Sequence, residues 1–392
     1  MFRRGRRHRS QQFACTQPRV TALARCSAPG VVGFRGKLDV CASRGARPDP
    51  AHEGPPVNAP RRKPSSTTSG LVLIDKPQGW TSHDAVARTR RLANTRKVGH
   101  AGTLDPMATG LLILGINSST RLLTYVVGLD KEYLATIRLG AATTTDDAEG
   151  EELTRAPAGA IDALAATAIT AGIRALTGDI SQRPSAVSAI KVDGKRAYAR
   201  VRAGEDVELP ARPVTVTEFE LVSSTPVDAF LDLEVRVVCS SGTYIRALAR
   251  DLGAGLGVGG HLTSLRRTRI GPFGIADADP LDQLDVGRAM IGPADAASRL
   301  FDRFDLDEQQ AIDLSQGKRI AAPAGAVDGG PVAAVDPHGR LVGLAEYRDG
   351  RAKSIVNFPP DAPPAAPTDS ADTAEPEASA EPAASAEAGA AS

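Results

Sequence analysis

Gly99-His100-Ala101-Gly102-Thr103-Leu104-Asp105-Pro106-Met107-Ala108-Thr109-Gly110, followed by Leu111-Leu112-Ile113-Leu114, is the stretch from which the rest of the chain can be read. Its three glycines let the backbone turn sharply and approach a ligand closely. Pro106 biases Asp105 away from the helical region, so the segment reads as a loop feeding the apolar strand behind it. A carboxylate on a rigid loop ahead of a buried strand is a candidate nucleophile or general base. The same residues admit a plainer reading, an Asp-Pro turn with His100 as a capping or packing residue.

Around this stretch lie 392 residues, enough for two domains and tails. No apolar run approaches the roughly 18 residues a bilayer span requires. The formal charge of +1 hides an asymmetry. Residues 1–69 carry 14 Lys/Arg against 3 Asp/Glu, whereas residues 361–392 carry 7 Asp/Glu and no Lys/Arg. The remainder is net −3, so nucleic-acid binding would need a local basic face. Cys15, Cys26, Cys41 and Cys239 form no CxxC pair, which argues against a zinc site or disulfide framework and for a reducing compartment.

Upstream of the stretch, residues 1–69 are rich in Arg, Pro, Ser and Gly and read as a disordered basic extension. A transit peptide, an RNA-contacting arm, or an extension upstream of a true start near Val57 would each fit. Order begins with a strand at Leu71–Asp75, then Lys76-Pro77, then a helix from His83 to Leu92 capped by Thr81 or Ser82. Ser82 and His83 are neighbours on that helix and do not face each other, so they make no catalytic dyad. Lys76 alone reads as an ordinary lysine at a strand end.

Downstream, Ser118–Leu123 predicts a short capped helix, and Lys131–Gly140 alternates as a half-buried strand containing Tyr133. Thr143–Gly150 reads as a polar turn whose acids lack calcium-loop spacing. Ile161–Leu176 predicts an amphipathic helix stopped by Gly178. Gln182–Tyr198 combines a proline turn, a strand, an Asp-Gly hairpin and a basic helix start. Lys191, Lys195, Arg196, Arg200 and Arg202 there are either a solvated face or an RNA contact. Strands near Val214–Leu221 and Phe230–Cys239 lead into a Ser-Ser-Gly turn and a helix that brings Tyr244 and Arg246 together. Residues 291–358 look like a separate small β unit, and the Ala/Pro/Glu/Ser tail 361–392 like a disordered one. A Walker loop and a dinucleotide fingerprint are both missing.

The motif Gly99–Leu112 resembles the signature of the tRNA uridine-55 pseudouridine synthases, the TruB family. Lys76-Pro77 resembles that family's first motif, Ser240–Arg246 a second strong match, and Leu265-Arg266-Arg267 its strand motif. Leu314–Ile320 resembles the entry of a PUA-type RNA-binding module. The resemblance implies an α+β fold: a mixed-sheet pseudouridine-synthase catalytic domain over 70–290, a small C-terminal β-rich PUA-like domain over 291–360, and disordered tails. A thumb-like RNA-contacting insertion falls at about 181–204.

It further implies Asp105 as nucleophile and Tyr133 as an aromatic plate against the target base. His100 would fill the space the flipped base leaves, Tyr244 and Leu265 would line the pocket, and Lys76 would buttress the loop. Lys191, Lys195 and Arg196 would grip RNA. A carboxylate in a dry pocket drifts up in pKa unless a cation sits beside it. Arg246 is the candidate for that cation, as a charge-assisted, bidentate-capable partner. The implied protein is a cytoplasmic monomer that needs no cofactor, metal or guide RNA and acts on the T-arm and T-loop of tRNA. A non-catalytic RNA-binding protein of the same fold and a guide-RNA-dependent synthase are the alternatives; intact Asp105, Tyr133 and Arg246 favour the enzyme.

Overall fold

The computed structural model describes residues 68–185, 191–192, 195–196 and 209–361. The expectations for the basic extension up to residue 67, the acidic tail beyond 361, Arg200, Arg202 and the side chains of Lys191, Lys195 and Arg196 lie outside the described residues.

The first strand, β1 (Gly70–Lys76), is apolar along most of its length because both of its faces are covered. Val72 and Ile74 point into one core and Leu71 and Leu73 into another, the period of two expected of a strand. Helix α1 (Ser82–Leu92) starts at a capping box in which Thr81 and Asp84 satisfy each other's backbone N–H groups. Then come β2 (Val98–Ala101) and β3 (Thr109–Ile116), the latter pairing antiparallel with β1 along its whole length.

In place of the predicted capped helix at 118–123 there is a 3-10 turn, Asn117–Arg121, running into α2 (Leu123–Val127); no side chain caps either. The chain continues through β4 (Lys131–Leu139), β5 (Ala141–Thr143), β6 (Glu152–Arg155), α3 (Ala166–Ala175) and β7 (Gly178–Gln182). Helix α3 starts five residues later than the periodicity predicts, since Ile161 and Leu164 reach the core from the turn ahead of it. A two-residue hairpin pairs β8 (Lys191–Val192) with β9 (Lys195–Arg196). Next are β10 (Arg212–Val227), β11 (Phe230–Cys239), α4 (Ile245–Gly255) and β12 (Gly260–Ile270).

Short strands β13 (Phe273–Gly274), β14 (Asp279–Pro280) and β15 (Met290–Ile291), with helix α5 (Val286–Ala289), finish the first sheet. Its order is β14-β1-β3-β12-β4-β11-β10-β7, with β2 on β3, β13 on β12 and β15 on β1. The sheet is mixed: β1–β14 and β3–β12 are parallel, the other pairings antiparallel. After α6 (Pro293–Leu300) come β16 (Arg303–Asp305), α7 (Glu308–Ser315), β17 (Ile320–Ala321), β18 (Gly329–Val335), β19 (Leu341–Arg348) and β20 (Arg351–Asn357). These strands make a second, five-stranded sheet. It shares a core with the first, because Leu71, Leu73, Leu111 and Ile113 pack in one cluster with Ala333, Val335, Leu341, Leu344 and Phe358.

Near the centre of the first sheet, β3 pairs with β12 at Thr109 and Gly110, opposite Arg266 and Arg267. Gly110 has φ +99°, and a Cβ there would lie 2.3 Å from the Arg267 carbonyl oxygen. Only glycine lets the two backbones meet at this point, and the loop carrying Asp105 ends there.

Candidate active site

Asp105 sits on the loop between β2 and β3, and that loop is held from three sides. Lys76, fully buried at the end of β1, donates from Nζ to the carbonyls of Pro77 (2.9 Å), Trp80 (2.7 Å) and, more weakly, Pro106 (3.4 Å). Burial pushes its amine down to about 8, with the Asp105 charge acting in the opposite direction. Ser82, in the first turn of α1, accepts the Leu104 N–H at 2.9 Å and donates back to the Leu104 carbonyl at 3.2 Å. From β12 the buried Arg267 donates Nε to the Leu111 carbonyl (2.8 Å) and Nη2 to the Gly102 carbonyl (3.1 Å). A buried cation that donates to the carbonyls of Gly102, Thr103 and Leu111 clamps the loop to the strand behind it.

With its backbone fixed this way, the Asp105 side chain is left 38% exposed. Arg246, whose side chain is 5% exposed, places Nη2 at 2.9 Å from Asp105 Oδ2. Its Nη1 donates to the Thr145 carbonyl at 2.9 Å and to Asp147 Oδ2 at 3.2 Å. Asp147 is buried and also accepts the Thr145 hydroxyl and the Glu149 N–H. The guanidinium is thus oriented by groups that do not depend on Asp105, and its charge is shared between two carboxylates. Asp105 gains a charge-assisted hydrogen bond without being fully neutralised.

Arg246 lies in the first turn of α4, so the start of that helix sets its aim. Gln182, buried at the end of β7, accepts the Tyr244 N–H (2.8 Å) and donates to the Tyr244 carbonyl (3.0 Å), gripping the N-cap residue at both backbone groups. One turn further on, Arg250 holds Asp146 at 3.1 Å, tying α4 again to the 143–150 segment.

Beside Asp105 opens a cavity of about 260 Å³ whose walls include Tyr133, Tyr244, Arg246, Leu265 and Arg267. Tyr133 stands on β4 in register with Arg267 of β12 and is 8% exposed. Burial pushes its phenol up, opposed by the Arg267 charge. Lys131 also faces the cavity; its Nζ donates to the carbonyls of Val127 and Leu129, and burial lowers its amine to about 8.

Of the residues singled out in the sequence, Asp105, Tyr133, Tyr244, Arg246 and Leu265 therefore surround one cavity. Lys76 does not line it; it lies behind the loop, out of reach of any ligand there. His100 is also outside the wall. It is half-buried on β2 with its ring 5.8 Å from that of His83, edge to face, and burial lowers its pKa. Lys191, Lys195 and Arg196 belong to the β8–β9 hairpin. Sequence reasoning missed Asp147, Gln182, Ser82 and the clamp made by Arg267. The signal for Asp147 was available: a buried arginine needs acids, and the polar turn at 143–150 offers two adjacent ones.

Among the described residues no cluster of three or more His, Cys, Asp or Glu could hold a metal ion, and no helix is long and apolar enough to cross a membrane. The fold is that of two solved assemblies: an H/ACA RNP bound to a substrate RNA containing 2'-deoxyuridine (TM-score 0.55, 23% identity, 74% of this chain and 86% of that one) and a Cbf5-Nop10-Gar1 complex (TM-score 0.54, 24% identity, 77% and 89%). The mixed sheet that carries the loop aspartate and the buried arginine thus belongs to the fold class of those two structures.

The family models resolve the class further. Residues 90–245 match the N-terminal domain of the TruB family pseudouridylate synthases, residues 246–297 the tRNA pseudouridylate synthase B C-terminal domain, and residues 301–359 the tRNA pseudouridine synthase II C-terminal model. Proteins named tRNA pseudouridine synthase B from Leifsonia xyli subsp. xyli and Thermobifida fusca are 66% and 55% identical over 294 and 293 residues. These matches cover 75% and 74% of this chain and 97% and 98% of the relatives. The chain belongs to the TruB family of pseudouridylate synthases.

Proposed function

We propose that this chain, acting alone in the cytoplasm as a monomer, converts uridine 55 in the T-loop of tRNA to pseudouridine, with Asp105 as the nucleophile. The observation that carries this reading is the Asp105–Arg246 pair at the mouth of a base-sized cavity. The reaction breaks the N1–C1′ bond, turns the uracil and forms a C5–C1′ bond; a proton leaves C5 and one is gained at N1. Atoms balance within the nucleotide, so no external oxidant, reductant or phosphoryl donor is consumed.

The target nucleotide must leave its stack, at a cost of a few kcal/mol. Stacking on an aromatic face is worth about 1–3 kcal/mol per base, so Tyr133 on one side and Leu265 on another offset much of that cost. Asp105 attacks the nucleoside while Arg246, 2.9 Å away, holds its carboxylate in position. Tyr133 and Lys131, whose amine burial lowers to about 8, both face the cavity and are the candidates to shuttle the proton. The β8–β9 hairpin supplies cations for the T-arm backbone, a sequence-independent contact that positions the loop.

The test is to incubate the purified protein with an unmodified tRNA transcript, without any other RNA, and map pseudouridine by position. Formation at position 55 supports the reading. Formation only when a second RNA is added would favour guide-dependent action, and binding without formation a non-catalytic role.

A further inference from the structure

Four cations crowd the edge formed by the end of α1 and the start of β2: Arg90, Arg91, Arg96 and Lys97, all exposed. The C-terminal dipole of α1 explains cations at Arg90 and Arg91. It does not explain Arg96 and Lys97, which lie past the helix. Among the described residues none of the four takes part in an ion pair; Arg90 only donates to the Val98 carbonyl. Leu92, 45% exposed, sits within the same patch.

The last described residue, Asp361, lies close by. The Asp361 carboxylate accepts the N–H of Ser69 (2.8 Å) and its hydroxyl (2.5 Å), and Ser69 Oγ accepts the Ser118 N–H at 3.2 Å. The neighbouring Asn117 donates its N–H to the Lys97 carbonyl at 2.8 Å and accepts the Thr95 hydroxyl at 2.9 Å. A short chain of contacts, Asp361–Ser69–Ser118–Asn117–Lys97, therefore links the exit of the C-terminal segment to the basic edge. Beyond Asp361 the sequence carries Asp369, Asp372, Glu375, Glu377, Glu381 and Glu387 and no Lys or Arg. At roughly 3.3–3.6 Å per extended residue, even the first of these acids has a reach of about 25 Å from Asp361.

We propose that the acidic segment 362–392 docks on Arg90, Arg91, Arg96 and Lys97 and competes there with the phosphate backbone of RNA. The competition rests on the proposed RNA substrate; the docking does not. An opposite-charge segment tethered beside its surface acts at high effective concentration, so weak pairing suffices to occupy the patch. Its effect is to reject weakly held RNA and leave access to chains whose other contacts outcompete the tail.

The docking is tested on the full chain without RNA, by zero-length carbodiimide cross-linking and peptide mass spectrometry. The expected result is an amide between Lys97 and an acid of the 369–387 stretch that disappears in high salt. Cross-links of the tail to Lys37 or Lys63 of the N-terminal extension with none to Lys97, or no tail cross-links, would overturn the proposal. The competition is tested by comparing the full chain with one ending at Asp361, which keeps the Ser69 contact. The shorter chain should bind tRNA roughly three- to tenfold more tightly at low salt, with the difference vanishing as salt screens it. Equal affinity at every salt concentration would overturn the competition even if Lys97 cross-links. Failure of both chains to bind tRNA would instead count against the proposed function, while the cross-link result would still decide the docking.

Discussion

Arg246 lies 2.9 Å from Asp105 through one guanidinium nitrogen and holds Asp147 at 3.2 Å through another. This fork separates two jobs: Asp147 and the Thr145 carbonyl orient the arginine, and the arginine then orients the reactive carboxylate. Lysine at this position would keep the charge but could not span both partners. Arg246→Lys should therefore fold normally and bind tRNA near the wild-type level. Its kcat should fall roughly 10- to 100-fold, the range for losing one charge-assisted hydrogen bond. Asp147→Asn should act in the same direction, and the double variant should lose less than the product of the two. Full additivity in that kinetic cycle would show that Asp147 does not work through Arg246.

Gly110→Ala tests the contact between β3 and β12. The added methyl would collide with the Arg267 carbonyl at 2.3 Å, and φ +99° is itself strained for alanine. We expect a loss of about 2–4 kcal/mol in unfolding free energy by denaturant titration, from the strain and the overpacking together. An unchanged denaturation midpoint would mean that the two strands separate at no cost.

Lys76 makes stability depend on pH. Its amine is lowered from 10.5 to about 8 in the folded protein, so between those values the unfolded chain binds more protons and stability rises with pH. The cost of the buried charge is fully present below about pH 8 and is relieved as pH climbs toward 10.5. Lys131 shifts in the same direction, so wild type should be compared with Lys76→Met, which retains Lys131. The stability difference between the two should move in favour of wild type across that window. A pH-independent difference would show that Lys76 titrates normally.

The β8–β9 hairpin is tested by changing Lys191, Lys195 and Arg196 together to alanine. Three lost phosphate contacts should weaken tRNA binding and flatten log Kd against log salt by about two to three units at most. An unaltered slope would return these residues to an ordinary solvated surface.

Much of the fold is legible because its governing residues are locally unambiguous. The apolar runs Leu71–Ile74 and Leu111–Leu114, bounded by glycine and proline, read as strands, and Thr81 or Ser82 marks the start of α1, where the structure has Thr81 as the cap. Within the site, Asp105 and Arg246 are visible as a carboxylate on a glycine-rich loop and a cation at a strand-turn-helix junction. Asp147 and Gln182 are not, because their roles depend on which distant helix packs above them. The polar ends of β10 likewise hide its length: the pattern predicts Val214–Leu221, whereas pairing with β11 extends it to Val227. Backbone pairing, unlike apolar periodicity, leaves no mark on an exposed edge of the sequence.

The measurement that bears most directly on the account is a single-turnover assay of Asp105→Asn with tRNA transcript, read alongside its tRNA affinity. The amide keeps the shape of the side chain and removes the nucleophile. No pseudouridine should form at position 55, and the Kd should stay within a few fold of wild type. Measurable turnover by the purified variant, free of wild-type protein, would contradict Asp105 as the nucleophile.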